Sequence, residues 1–150
     1  MKKIPEGFQT ITPSLNLEGA AAAIKLYKKA FGAQEIYSLE SPDKSGKIMH
    51  ACLQIGSSKI FLADAMPNCG GASASSFYLY LEDADVAFKQ ATQAGLTEVW
   101  APTDMFWGDR TGVVRDQFGI SWTLATKVRE VSPEELEKGA KEFAATNKAA

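Results

Sequence analysis

The chain has 150 residues, of which 45% are hydrophobic and 23% are charged, and its formal net charge at pH 7 is −2. This composition is typical of a globular domain, and the absence of a basic run argues against nucleic acid as a partner. The single histidine, His50, excludes a metal centre built from several imidazoles, and no apolar run approaches the roughly 18 residues of a membrane span.

The first half of the chain has the periodicity of a strand, a helix and three further strands. The predicted elements are a strand over 8–17, a helix over about 19–31, and strands over 35–40, 47–55 and 59–64. Alternation within 47–55 places one apolar set toward the helix, namely Met49, Ala51, Leu53 and Ile55. His50 and Cys52 then lie on the opposite face of that strand.

The second half predicts the same order of elements, followed by a terminal helix. The predicted elements are a strand over 76–81, a helix from Asp83 to Gly95, and strands over 98–101, 112–115 and 120–125. In the first of these strands, Tyr78 and Tyr80 oppose the apolar set. A capping box, Ser132-Pro133-Glu134-Glu135, predicts that the terminal helix begins near 132.

Two landmarks indicate that the halves are copies of one module. Gly32 and Gly95 each open a similar hexapeptide and lie 63 residues apart, and the same interval separates Gly56 from Gly119. We therefore predict an α+β fold of two tandem βαβββ modules, which form a curved, cleft-bearing mixed sheet with helices outside. The predicted single domain comprises a first module over about 6–66, a connector over 67–75, a second module over 76–127 and a helix over about 132–147.

Several motifs carry a resemblance to a known family. The helix segment 24–33 (IKLYKKAFGA), the pair His50-Ala51, and the segments FWGDR at 106–110 and DQFGISW at 116–122 are similar to those of PhnB-like proteins. That branch belongs to the vicinal oxygen chelate superfamily, which includes glyoxalase I, bleomycin-resistance proteins and extradiol dioxygenases. The chain departs from the branch at Gln117, where proline is usual, and at Ile120, where histidine is common.

The resemblance also implies where a metal would bind. Matched by register, the superfamily's ligand positions are Thr12, Ser76 and Thr123, with either Asp64 or Ala63 as the fourth. Hydroxyl groups are poor ligands for a catalytic divalent ion, so we expect no tightly held metal and no other cofactor. Weak binding of a divalent metal by His50 and Asp64 is the alternative.

We predict a pocket on the face of the sheet opposite the helices. Its expected ligand-binding residues are Thr10, Thr12, His50, Cys52, Ser76, Tyr78, Tyr80, Phe106, Trp107, Arg110 and Thr123. His50 is the one catalytic candidate, and a structural, hydrogen-bonded histidine is the alternative. Arg110 could hold a carboxylate or phosphate, or an ion pair could fix its loop. Phe106 and Trp107 could stack on a ligand, or they could pack in the core or at a dimer contact.

The expected function is the binding of a small organic molecule in the cleft. A metal-dependent glyoxalase-type lyase or isomerase, or a dioxygenase, is one alternative, and a drug-sequestering resistance protein is another. The resemblance implies a homodimer, and neither nucleic acid nor membrane is expected as a partner. Because Cys52 and Cys69 form no C-x-x-C pair, we expect reduced thiols in a cytoplasmic protein.

Overall fold

The computed structural model describes residues 3–67 and 71–147. Within these residues the first module contains β1 (Ser14–Leu17), α1 (Ala20–Phe31), β2 (Gln34–Glu40), β3 (Ile48–Ile55) and β4 (Ser58–Asp64). The second module contains β5 (Ser75–Tyr80), α2 (Ala84–Ala94), β6 (Thr97–Asp104), β7 (Asp109–Arg115) and β8 (Ile120–Lys127), and α3 (Pro133–Asn147) follows. Cys69 and part of the predicted connector lie outside the described residues.

Each module builds one four-stranded mixed sheet of the same topology. The strand orders are β1-β4-β3-β2 in the first sheet and β5-β8-β7-β6 in the second. The first strand of each module runs parallel to the last, and the remaining neighbours are antiparallel. The prediction of an α+β fold with two tandem βαβββ modules is therefore confirmed.

The helices end where the sequence places glycines. Gly32 follows α1 with φ 64° and Gly95 follows α2 with φ 113°, and this left-handed conformation suits glycine because it has no Cβ. At the start of α2, the Asp83 side chain accepts a hydrogen bond from the Val86 N–H at 2.9 Å. Ser132 and Glu135 form the predicted capping box of α3, since each side chain accepts from the other residue's N–H.

The apolar core lies between the helices and one face of each sheet, and it continues across both modules. α1 packs against α2, and the largest fully buried side chains include Tyr27 from α1 and Trp122 from β8. Buried Asp116 joins the modules, because its Oδ2 accepts from the Tyr27 hydroxyl at 2.7 Å and from the Trp122 indole at 3.0 Å. We call the opposite, helix-free side of each sheet its open face.

The first strand is shorter than the sequence predicts. β1 begins at Ser14, whereas the prediction began at Phe8. Pro13 has no N–H to donate to a ladder, and its carbonyl accepts from the Phe61 N–H at 2.9 Å, so regular pairing starts after it. The preceding segment lies against the first sheet, where the Phe8 ring is 5.5 Å from the Phe61 ring.

The prediction that Met49 faces the helix is wrong because of a bulge. Glu40 pairs with Ile48 and Leu39 pairs with His50, so Met49 has no partner on β2. The extra residue shifts the alternation by one position. Ile48 consequently joins the core at 5% exposure, whereas Met49 is 55% exposed.

Candidate functional site

Four side chains meet on the open face of the second sheet, and we call them the tyrosine–aspartate cluster: Tyr78, Tyr80, Trp107 and Asp109. The hydroxyls of Tyr78 and Tyr80 both donate to Asp109 Oδ2, at 2.7 Å and 2.9 Å. The Trp107 indole N–H donates to the Tyr78 hydroxyl at 3.2 Å. Asp109 is only 3% exposed, whereas Tyr78 and Tyr80 are 44% and 66% exposed.

The sheet register explains how the cluster forms. The tyrosines lie on β5 and Asp109 on β7, with β8 between them. On β8, Thr123 lies beside Tyr78 and Ala125 beside Tyr80. These short side chains leave room for the two phenol rings to reach across β8 to the carboxylate.

The cluster keeps its phenols protonated at ordinary pH. Burial, and then the hydrogen bond to Asp109, raises the pKa of Tyr78 to about 12. The hydrogen bond to Asp109 is also the main reason why the pKa of Tyr80 is raised. Both hydroxyls are therefore neutral donors to a carboxylate.

A second group lies on the open face of the first sheet. His50 Nδ1 is 3.0 Å from the Tyr37 hydroxyl, and the two rings are stacked with their centroids 5.7 Å apart. Cys52 is fully buried nearby, and burial raises the pKa of its thiol, which favours the unreactive protonated form. His50 thus has a side-chain partner, as expected for a structural histidine, while its ring remains partly exposed.

A cavity of about 480 Å³ lies between the modules. Its walls are the segment 9–13, the β3–β4 turn and the free edge of β5. Of the predicted binding residues, Thr12, Tyr78 and Tyr80 line it. Thr12 Oγ1 also donates to the Gln9 carbonyl at 3.4 Å, and Thr10 is exposed in the same segment.

Arg110 forms ion pairs within the second module. Its guanidinium contacts both carboxylate oxygens of Asp85 on α2, including the Nη2–Oδ1 pair at 2.8 Å, and Nη1 donates to Asp104 at 2.9 Å. Of the two interpretations that the sequence left open, this geometry matches an ion pair that fixes the loop. Phe106 packs on α3, with its ring 5.7 Å from that of Phe143, and its ring is 5.0 Å from that of Trp107.

The residues at the superfamily's metal positions do not fit a divalent ion. Asp64 Oδ1 accepts from the Gly19 and Ala20 N–H groups at the start of α1, and its Oδ2 accepts from the Ile48 N–H at 2.6 Å. Alternation therefore puts Ala63, which has no donor atom, on the open face. Thr12, Ser76 and Thr123 offer only hydroxyls, and residues 3–67 and 71–147 contain no group of three or more His, Cys, Asp or Glu able to hold a metal.

The structure brings together some of the predicted site residues and separates others. Tyr78 and Tyr80 are joined through Asp109, and Trp107 is joined to Tyr78, while His50 and Cys52 lie on the other sheet. The sequence pattern does not single out Asp109, because it predicts that this strand begins at Gly112 and leaves Asp109 in the preceding loop. Extended by three residues, the same alternation places Asp109 with Thr111 on the open face.

Comparison with known proteins agrees with this architecture. A Mycobacterium bovis protein of uncharacterised function is 40% identical over 137 residues, which cover 85% of this chain and 89% of that protein. The Pseudomonas aeruginosa protein PA1353 superposes with a TM-score of 0.65 and 25% identity, covering 81% of this chain and 99% of that one. A Bacillus cereus PhnB protein shares the fold, with a TM-score of 0.64 and 18% identity over 79% of this chain and 99% of that one.

The family assignment rests on most of the sequence. Residues 11–124 match the model of the Glyoxalase/Bleomycin resistance protein/Dioxygenase superfamily. Within the described residues, no helix has the length and apolar character that crossing a membrane requires. The matched segment spans both modules, and the chain belongs to the glyoxalase/bleomycin resistance protein/dioxygenase superfamily.

Proposed function

We propose that this protein binds a small organic molecule on the open face of its second sheet, without a resident metal ion. The observation that carries this proposal is the tyrosine–aspartate cluster. Two tyrosine rings stay 44% and 66% exposed while their hydroxyls hold a carboxylate that is 3% exposed. A partly apolar surface with a few fixed polar groups is typical of small-molecule sites.

The metal-dependent alternative has less support in the donor set. Asp64 gives both carboxylate oxygens to backbone N–H groups, and His50 lies beside Tyr37. Thr12, Ser76 and Thr123 would have to supply the remaining ligands as hydroxyls, which bind divalent ions weakly. We therefore derive no reaction step through a metal.

A thermal-shift screen of small molecules, combined with metal analysis of the purified protein, tests the proposal. We expect some compounds to raise the melting temperature of the wild type but not that of a Tyr78→Ala/Tyr80→Ala variant. A Tyr37→Ala variant, which alters the first sheet, is the matched control and should respond like the wild type. Stoichiometric zinc, nickel or iron in the protein, or equal responses of the wild type and the double variant, would contradict the proposal.

The same screen separates binding from catalysis. A stabilising compound that is recovered unchanged after long incubation would indicate capture without turnover, as in the drug-sequestering alternative. A compound that is converted would indicate an enzyme. Retesting any conversion with added divalent ions, on the wild type and on His50→Ala, then shows whether His50 and a metal take part.

We also propose that the protein acts as a homodimer in the cytoplasm. Exposed apolar side chains on both sheets support association, including Leu39 at 58% and Met49 at 55% on the first and Trp100 at 44% on the second. The buried free thiol of Cys52 supports a reducing compartment. Sedimentation equilibrium measures the mass in solution, and a monomer at high micromolar concentration would contradict the dimer.

A further inference from the structure

Asp109 is a buried carboxylate that forms no direct ion pair with a basic side chain of the described residues. It is 3% exposed, and it forms no salt bridge with any lysine or arginine within residues 3–67 and 71–147. Its side-chain partners are the hydroxyls of Tyr78 and Tyr80. Buried carboxylates are usually paired with a cation, because removing the charge from water is costly. The cluster therefore holds Asp109 without a cation in direct contact among the described residues.

Two basic residues lie close to Asp109 in sequence or in strand register, and both form their ion pairs with other carboxylates. Lys127 is the cross-strand neighbour of Asp109, and its ammonium group forms an ion pair with Glu130 at 2.7 Å. The hydrogen bond to Glu130, and to a lesser degree the charge of Asp109, raises the pKa of Lys127, so Lys127 acts on Asp109 only from a distance. Arg110 follows Asp109 in sequence and holds Asp85 and Asp104. The protein thus places cations near Asp109 in sequence and register without pairing them to it.

The rest of the cluster offers groups that attract a cation. The centroids of the Tyr78 and Tyr80 rings lie 5.2 Å apart, and the Trp107 indole N–H donates to the Tyr78 hydroxyl, so the cluster groups three aromatic side chains with one carboxylate. Aromatic faces attract cations through the negative potential of the ring. Both phenol hydrogens point to Asp109, so only oxygen lone pairs remain for a ligand, and one of those on Tyr78 accepts from the Trp107 indole. The raised pKa values of both phenols keep those hydrogens in place.

We propose that the tyrosine–aspartate cluster binds the ammonium group of an alkylammonium ligand, with Asp109 as its countercharge and the rings of Tyr78 and Tyr80 as its walls. This inference rests on the proposed function and names the charge and class of its ligand. The role of each residue differs. Asp109 supplies long-range attraction, whereas the rings supply contact with the alkyl groups on nitrogen.

Choline and its neutral carbon isostere, in which a tert-butyl group replaces the trimethylammonium group, form a matched pair of probes. Their binding is followed by NMR through the indole N–H signal of Trp107, which a Trp107→Phe variant identifies. We expect choline to shift this signal saturably and the isostere to leave it in place. Because the two probes have the same shape, a difference between them measures the effect of the charge.

Variants then assign the charge to Asp109. Asp109→Asn keeps the shape of the side chain and removes its charge, and we expect it to weaken choline binding by at least about tenfold. Glu98→Gln makes the same charge change at an exposed site on β6 and should leave choline binding unchanged. Lys127→Gln removes the internal competitor and should tighten choline binding about two- to threefold. If Asp109→Asn fails to fold, Tyr80→Leu replaces a side chain that is 66% exposed and should weaken binding severalfold.

The outcomes separate this inference from the proposed function. Equal shifts by choline and its isostere, or unchanged choline binding in Asp109→Asn, would overturn the inference. If neutral or anionic compounds shift the Trp107 signal and choline does not, the inference fails while the proposed function stands. If no compound of any charge shifts the signal, both fail.

Discussion

Three carboxylates that are buried or partly buried, Asp116, Asp64 and Asp109, have different hydrogen-bond partners. Asp116 has its four acceptor directions filled, because Oδ1 accepts from the Phe118 and Ile120 N–H groups and Oδ2 from Tyr27 and Trp122. Both carboxylate oxygens of Asp64 likewise accept hydrogen bonds from backbone N–H groups. Within residues 3–67 and 71–147, Asp109 accepts hydrogen bonds only from two hydroxyls, and both reach the same oxygen. The first two carboxylates therefore stabilise the fold, and Asp109 is the one we associate with a ligand.

Asp116→Asn should destabilise the protein strongly. An asparagine amide must place its NH₂ either against two backbone N–H groups or against the Trp122 indole, so donors face donors in a buried site. We expect the free energy of unfolding to fall by about 3 kcal/mol. Tyr27→Phe, which removes a single hydrogen bond, should cost about 1 kcal/mol. Urea denaturation measures both values, and a change within error for Asp116→Asn would contradict this role.

The raised pKa of Tyr78 predicts how stability depends on alkaline pH. The phenol loses its proton near pH 10.0 in the unfolded chain and near pH 12 in the folded protein. The folded state therefore holds the proton more tightly, so the contribution to stability is complete below pH 10 and is lost as pH rises toward 12. Between pH 10 and pH 12, we expect the melting temperature of Tyr78→Phe to fall less than that of the wild type. A loss of equal size in both proteins would contradict the assigned shift.

At the scale of elements, the sequence predicts helices better than strand boundaries. The helices carry their own end signals, such as the Asp83 cap and the stop glycines Gly32 and Gly95. Strand ends depend on the neighbouring strand, which single-sequence periodicity does not contain. The bulge at Met49 and the early start of β7 at Asp109 arise in this way. Because β7 begins at Asp109 and not at Gly112, the sequence-based prediction of the site does not include Asp109.

α3 contacts Phe106, in the loop that carries Trp107, at Gly139. Whether Gly139→Ala raises or lowers the stability of the protein tests this contact. A Cβ added at Gly139 would lie 2.6 Å from the Phe106 Cβ, which is too close for both to stay in place. In a free helix, Gly→Ala stabilises by about 1 kcal/mol. We expect Gly139→Ala instead to destabilise the protein and to speed hydrogen exchange in α3. A gain in the free energy of unfolding would show that α3 does not rest on Phe106.

A control variant at Ala140 separates the effect of the Gly139–Phe106 contact on stability from the effect of helix propensity. Ala140 is the next residue of α3 and is exposed. Ala140→Gly should lower stability by about 1 kcal/mol through propensity alone, without moving Phe106. The Trp107 indole signal should therefore shift in Gly139→Ala and stay in place in Ala140→Gly.

At the scale of the whole molecule, the duplication leaves two similar outer edges. β2 and β6 each carry a bulge, at Ile36 and at Val99, and each of these residues is 49% exposed. Bulges disturb the row of backbone groups that another strand would need for pairing. The two bulges therefore favour association of these edges by side-chain packing over strand addition.

The proposed homodimer can be tested at these two positions. Ile36→Lys and Val99→Lys introduce charges into the exposed apolar regions of both modules, and we expect the double variant to weaken dimerisation by at least about tenfold, because an interface must exclude water from these charges. Val86→Lys changes a side chain of α2 that is 62% exposed and lies outside both edges, so it should leave the association unchanged. Sedimentation equilibrium over a concentration series gives each dissociation constant. If the double variant dimerises as tightly as the wild type, the outer edges are not the interface. If Val86→Lys alone dissociates the protein, the copies meet through the helices.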